Sequence, residues 1–314
     1  MKTVFLFPGQ GAQAPGMAHD LWEASQAVKD LFEIAGDIAG KDMKQLLFQG
    51  SDADLKSTDN TQIAMTLANV SAAQVLVEHG ISADFTAGFS VGEYAALYEA
   101  GILDAADLFR AVLIRGEVME KASRLHDRPE GNAGMSAILG LPFDTAAPIV
   151  RALAAQNVFI ANNSSPTQMV IAGSAAGLQA AETALDQAGA MKIVRLNVSG
   201  PFHSPLLASA RVEFEARCTA LAWKDPTKPI VSNVTGSLIK SGAEARKLAG
   251  EQIVSMVRWV DSMAWLHNQG ANQILEVGPG RVLGGLWRAF TKESKCLGAG
   301  SLEAIKEVQA ALSK

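Results

Sequence analysis

Three stretches of the chain place reactive side chains in patterns that suit catalysis or ligand binding. The first is Gly88-Phe89-Ser90-Val91-Gly92, a G-x-S-x-G pattern between an apolar run and a helical pattern over 93–99. Strand, sharp turn and helix are the setting in which such a serine serves as a nucleophile. The glycines let the chain turn sharply, Ser90 stands at the tip, and the backbone N–H of Val91 points toward a forming oxyanion. Capping of the following helix is the alternative use of Ser90.

A serine nucleophile needs a base, and the chain has five histidines. His79 and His267 lie near the ends of helical patterns, close to Gly80 and Gly270, where capping accounts for them. His126 sits in a polar stretch and His19 in an early helix. His203 differs, because it lies in Ser199-Gly200-Pro201-Phe202-His203-Ser204-Pro205, after a strand pattern and before a helical one. Two prolines and a glycine stiffen that loop, which suits general-base work by a fixed imidazole. A surface turn histidine is the other reading. No acid between Ser90 and His203 stands out to orient the imidazole, which counts against an ordinary esterase; a main-chain or side-chain carbonyl is the alternative orienting group.

The third place is Pro8-Gly9-Gln10-Gly11-Ala12-Gln13-Ala14, directly after the first strand. It fits the dinucleotide fingerprint G-x-G-x-x-A. That reading wants a helix at the glycines and an acid ending the next strand. Asp30 and Glu33 lie instead inside a helical pattern over 26–38, and Pro15 and Gly16 interrupt the first turn. The rival reading is a glycine loop whose Gln10 N–H serves as a second oxyanion donor.

The elements that must position these groups follow from hydrophobic periodicity. Short apolar runs at 4–7, 85–88, 230–233 and 273–277 read as parallel strands separated by helices, with a helix over 66–79. The rhythm changes between 135 and 197. Strands at 135–140, 157–161, 168–173 and 191–196 alternate with helices at 143–156 and 175–189, around a turn at Asn163-Ser164-Ser165-Pro166. The order β-α-β-β-α-β is that of a ferredoxin-like unit. The expectation is an α/β protein whose core spans 1–126 and 198–314, with a small subdomain at 127–197. A polar linker, His126-Asp127-Arg128-Pro129-Glu130-Gly131-Asn132, precedes the insert.

Composition sets the class. At 48% hydrophobic residues the chain can bury a core and is not disordered. A formal charge of −5 argues against nucleic acid as the main partner. No apolar run approaches the roughly 18 residues of a membrane span, and the amino terminus lacks a signal-peptide pattern. With two cysteines, Cys218 and Cys296, one bridge at most could form. The expectation is a soluble, cytoplasmic, reduced protein. No metal-ligand spacing occurs, so neither a metal nor a redox cofactor is expected.

The motifs, taken in order, resemble the malonyl-CoA:acyl carrier protein transacylases and their relatives in polyketide synthases and malonate decarboxylase systems. The resemblance rests on Phe7-Pro8-Gly9-Gln10-Gly11-Ala12-Gln13, Gly88-Phe89-Ser90-Val91-Gly92-Glu93, and Arg115 in Leu113-Ile114-Arg115-Gly116. It continues with Asn162 before Ser165-Pro166, Gly200-Pro201-Phe202-His203-Ser204-Pro205, Gln252 before Val257-Arg258-Trp259, and Glu276-Val277-Gly278-Pro279-Gly280. It implies an α/β-hydrolase-like core with an inserted ferredoxin-like subdomain. Ser90 is then the acyl-accepting nucleophile, His203 its base, and the N–H groups of Gln10 and Val91 the oxyanion hole. The Gln252 carbonyl orients His203, and Arg115 grips the free carboxylate of malonyl. By its residue type alone, Arg115 would read as a solvated helix arginine. Gln62, Asn162, Met119 and Met135 match pocket positions, and Phe202 with Val91 implies malonyl over methylmalonyl.

The implied reaction is ping-pong transfer of malonyl from malonyl-CoA to the phosphopantetheine thiol of acyl carrier protein, by a monomer needing no cofactor beyond its thioester substrate. Phe89 replaces the family's usual histidine and Ile63 its usual proline, which keeps a malonate decarboxylase malonyltransferase as the alternative. A serine thioesterase and an inactive carrier-binding module are further alternatives. Carriers of this kind are acidic, so a local basic patch is expected, from Arg281, Arg288 and Lys292 or from Arg124 and Arg128.

Overall fold

The computed structural model describes residues 1–51, 53–129 and 131–312; Glu130 of the expected linker lies outside them. Nine strands occur in the described chain: β1 (Thr3–Phe7), β2 (Phe85–Gly88), β3 (Gly134–Leu139), β4 (Val158–Ser165), β5 (Gln168–Gly173), β6 (Lys192–Arg195), β7 (Ile230–Val231), β8 (Gln273–Glu276) and β9 (Cys296–Gly298). They form two sheets. One is wholly parallel, in the order β7-β2-β1-β8-β9. The other is antiparallel, in the order β4-β5-β3-β6.

Strand β1 shows why the parallel sheet forms where it does. All five of its residues are buried. Val4 and Leu6 pack into one hydrophobic cluster with Trp259 and Trp287, while Phe5 and Phe7 point into a larger cluster on the other face. An unbroken apolar run with side chains alternating between two covered faces is what a central parallel strand requires. The antiparallel sheet has its own cluster, in which Ile138, Val158, Ile171, Leu178 and Leu185 meet.

Four expectations need correction. The fifth parallel strand, β9, is only three residues long and follows a charged stretch, so it left no periodic signal. Strand β7 stops two residues early, because the N–H of Asn233 donates to a glutamate carboxylate at 2.9 Å instead of joining the ladder. The turn expected at 163–166 shrinks to Pro166 and Thr167, since β4 continues through Ser165 across two register irregularities. That polar end of β4 is held by Val257, whose N–H donates to Ala161 O and whose carbonyl accepts from Asn163 N. The helix expected at 66–79 starts earlier and spans Thr58–Glu78. Both cysteines are free. Among the described residues no helix is long and apolar enough to cross a membrane.

The close approach of β1 to the turn after β2 fixes the centre of the molecule. A Cβ at Gly92 would overlap the carbonyls of Phe7 and Pro8. Gly92→Ala is therefore expected to destabilise the fold by at least about 3 kcal/mol, read as a lowered urea midpoint.

Candidate active site

The turn after β2 carries Ser90 at φ 54°, in the left-handed region that non-glycine residues rarely occupy. Such a conformation persists only where its surroundings over-determine it. Here Asn233 supplies the restraint: its Oδ1 accepts from the Ser90 N–H at 2.8 Å and its Nδ2 donates to Gly88 O at 2.6 Å. The helix Gly92–Glu99 then begins, without a side-chain cap. Ser90 Oγ is not used for capping; it meets His203 Nε2 at 2.7 Å.

His203 is also left-handed, at φ 58°, and is 4% exposed, so it is not a surface turn histidine. The hydroxyl of Ser204 donates to Pro201 O and tightens the loop. The Gln252 carbonyl lies 2.8 Å from His203 Nδ1. As a pure acceptor it requires the proton on Nδ1, which leaves the Nε2 lone pair facing Ser90. None of His19, His79, His126 or His267 reaches Ser90: their ring partners are Glu23, Gln309, Leu206 O and Glu293.

Arg115 projects from the helix Ala105–Arg124 and is 1% exposed, which overturns the solvated reading. Its guanidinium lies over the Tyr94 ring, 5.6 Å from the centroid. Nη1 donates to Gln62 Oε1 at 2.7 Å. Nη2 donates to Gln252 Oε1 at 2.9 Å and lies 3.3 Å from Ser90 Oγ. Its Nε has no partner among the described residues. Met119 Sδ receives the Gln62 amide at 3.9 Å.

These groups border a cavity of about 400 Å³. Gln10, Phe89, Ser90, Met135, Asn162, Phe202 and His203 line it. Val91, Arg115, Gln62, Met119 and Gln252 do not; all five are buried behind that surface. The residues expected to form the catalytic and acyl-binding set therefore fall in the lining or are buried behind it. The glycine loop at 9–11 starts no helix, the first being His19–Ala24, so the dipole that would hold a pyrophosphate is missing there.

Four residues of the site carried no signal of their own in the sequence. Asn233 is one, and Tyr94 beneath Arg115 is another. Asn69 holds the glycine loop by donating to Pro8 O at 2.9 Å. Glu93 is the fourth: its carboxylate accepts from Asn233 N at 2.9 Å and from the Gln252 amide. The cue to Glu93 was its place at the end of the motif around Ser90, which assigned it no role.

Burial dominates the electrostatics. It pushes Glu93 up to about 7, opposed by the bonds from Asn233 and Gln252. It pulls Arg115 down, opposed by Tyr94 and Glu93. It lowers His203 to about 3, with the Arg115 charge acting in the same direction. The neutral imidazole is therefore the form present above that value, ready to accept a proton. In an NMR titration, assigned by difference from His203→Ala, the His203 ring is expected to show no protonation between about pH 8 and pH 5.

Comparison with known proteins places the chain in a family. A family model described as an acyl transferase domain matches residues 4–284. The malonyl CoA-acyl carrier protein transacylase of Bacillus subtilis is 35% identical over 97% of this chain and 95% of its own length. That of Staphylococcus aureus is 33% identical, covering 97% of each. Among solved structures, the Coxiella burnetii transacylase matches with a TM-score of 0.94 at 29% identity, covering 100% of this chain and 98% of that one. A malonyl-transacylase solved in complex with a type II PKS acyl-carrier protein matches with a TM-score of 0.93 at 32% identity, covering 99% and 100%. The chain therefore belongs to the acyl transferase family, among the malonyl CoA-acyl carrier protein transacylases.

Proposed function

We propose that this protein moves a malonyl group from malonyl-CoA to the phosphopantetheine thiol of acyl carrier protein, through a malonyl ester on Ser90. The observation that carries the reading is a buried guanidinium 3.3 Å from a serine that is itself bonded to histidine. A fixed cation at that distance suits an acyl group with its own carboxylate, which can take charge-assisted hydrogen bonds. An acetyl group would leave the guanidinium uncompensated.

In the first half-reaction Ser90 Oγ attacks the thioester carbonyl while its proton passes to His203 Nε2. The negative charge forms beside the N–H groups of Val91 and Gln10, neither of which has an acceptor within the described chain. The C–S bond breaks, and His203 returns the proton to the departing CoA thiolate. In the second half-reaction the carrier thiol gives its proton to His203 and attacks the ester. The proton then goes back to Ser90 Oγ as the C–O bond breaks. Pairing of Arg115 with the malonyl carboxylate offsets the charge that depresses His203, making it a stronger base when the right substrate is present. Gln62 holds the guanidinium, backed by Met119, while Phe202, Asn162 and Met135 wall the acyl group. Phe202 leaves little room for an α-methyl substituent.

The core at 1–126 and 198–314 is read as α/β-hydrolase-like, supported by a nucleophile at the carboxyl end of a parallel strand. The insert at 127–197 is read as ferredoxin-like, supported by the β4-β5-β3-β6 order. The two free cysteines suit a reducing cytoplasm, where we place the protein as a monomer.

For the carrier, a second cavity of about 800 Å³ brings together Arg281, Arg288, Lys292 and Lys295, all exposed. None of the four forms a salt bridge among the described residues, whereas Arg124 is paired with Glu120 and Asp127. Gly280, just before Arg281, stands against Ala12 of the loop that lines the active cavity. An acidic carrier held at these cations would present its thiol arm toward Ser90.

Incubation with malonyl-CoA is expected to add one malonyl group at Ser90, seen by mass spectrometry and lost in Ser90→Ala. In Arg115→Ala, the preference for malonyl-CoA over acetyl-CoA is expected to fall by about one to two orders of magnitude. Arg288→Glu is expected to raise KM for the carrier, leave acylation by malonyl-CoA intact, and flatten the salt dependence of transfer.

A further inference from the structure

The Gln252 side chain has two ends, and its neighbours accept only one orientation. Arg115 Nη2 can only donate, so it requires Oε1. The Ser90 carbonyl can only accept, and Gln252 Nε2 donates to it at 3.1 Å. The remaining Nε2 proton goes to Glu93 Oε2, and because each of the two Glu93 oxygens faces an N–H donor, the network favours its carboxylate form against the pull of burial. The other oxygen of Glu93 accepts from the N–H of Asn233, whose side chain in turn holds the Ser90 and Gly88 backbone. One carboxylate thus sits at the root of both the elbow and the arginine clamp.

Its distance from Arg115 matters as much as its charge. A carboxylate touching the guanidinium would occupy the fork that an acyl carboxylate needs. Standing one amide away, Glu93 balances the buried cation through the Gln252 dipole and leaves the Arg115 Nε unpartnered. Gln252 also gives its backbone carbonyl to His203, so any rotation of this residue reaches the base as well.

We propose that Glu93 is a positioning residue for diacid selectivity: its carboxylate locks the Gln252 amide so that Oε1 holds Arg115 in the orientation that grips the malonyl carboxylate. This rests on the malonyl-transfer reading above. Glu93→Gln keeps the size but brings an NH2 group. If that NH2 faces Gln252, the Gln252 amide must flip and turn its own NH2 toward Arg115. If it faces Asn233, the elbow loses its acceptor. Glu93→Asp keeps the charge but withdraws it by one methylene.

The test measures kcat/KM for acylation of Ser90 by malonyl-CoA and by acetyl-CoA, with the folded fraction taken from near-UV circular dichroism. Glu93→Gln is expected to lower the malonyl-to-acetyl ratio at least about tenfold, and Glu93→Asp to lower it by an intermediate factor. A folded variant with the wild-type ratio overturns the proposal, as does an equal fall for both thioesters, which marks a purely structural role. Should Glu93→Gln fail to fold, Glu93→Asp decides by the same criterion. Wild-type protein run in parallel separates the two claims: without a malonyl adduct there, malonyl transfer itself fails, whatever the variants do.

Discussion

Burying one guanidinium is the constraint on which the interior of this protein depends. Arg115 cannot shed its charge, and at 1% exposure it has no water to solvate it. Each hydrogen bond from an amide oxygen to such a charge contributes about 1.5–3 kcal/mol, so its acceptors must be held in place. Gln62 comes from the long helix Thr58–Glu78, Gln252 from the end of Gly242–Gln252, and the Tyr94 ring from Gly92–Glu99. Three helices are therefore locked to a fourth by one side chain. The compensating carboxylate, Glu93, is one amide removed, so Gln252 and not Glu93 makes the direct contact with the cation.

Ser90 and His203 are held by a different means. Ser90 and His203 both adopt left-handed backbone, and neither is a glycine. Each is held by groups distant in sequence: Asn233 for Ser90, and the Gln252 carbonyl for the His203 ring. The strain is local, and the parallel sheet with its two buried faces stabilises it. That sheet also brings the glycine loop after β1 beside the turn after β2, so the chain's first motif and its nucleophile share one cavity.

The antiparallel unit completes the pocket rather than the catalytic set. It supplies Met135 from β3 and Asn162 from β4, and the linkage of β4 to Val257 ties it to the core close to Trp259. Phe89 stacks edge-on against Trp259 at 5.3 Å. The departure from the family's usual histidine thus fills an apolar wall, leaving the Ser90–His203 bond untouched. The cavity is shared between the two sheets: the parallel part carries Ser90, His203 and the buried Arg115 beside them, and the antiparallel part adds Met135 and Asn162 to its wall.

The sequence by itself determined what local rules control. The strand–turn–helix around Ser90, the buried central strand β1 and the β-α-β-β-α-β order follow from glycine spacing and apolar period. It left His203 open between base and surface turn, because burial of a loop depends on what packs over it. Arg115 carried no signal apart from resemblance, since a helix arginine looks the same whether solvated or buried. Only the tertiary structure assigned Glu93 and Asn233, whose partners lie 159 and 143 positions away. It also decided that the orienting group for His203 is a backbone carbonyl, which no residue type can reveal. Backbone groups and buried charges acquire their roles from the neighbours that desolvate them, and chain folding, not residue identity, chooses those neighbours.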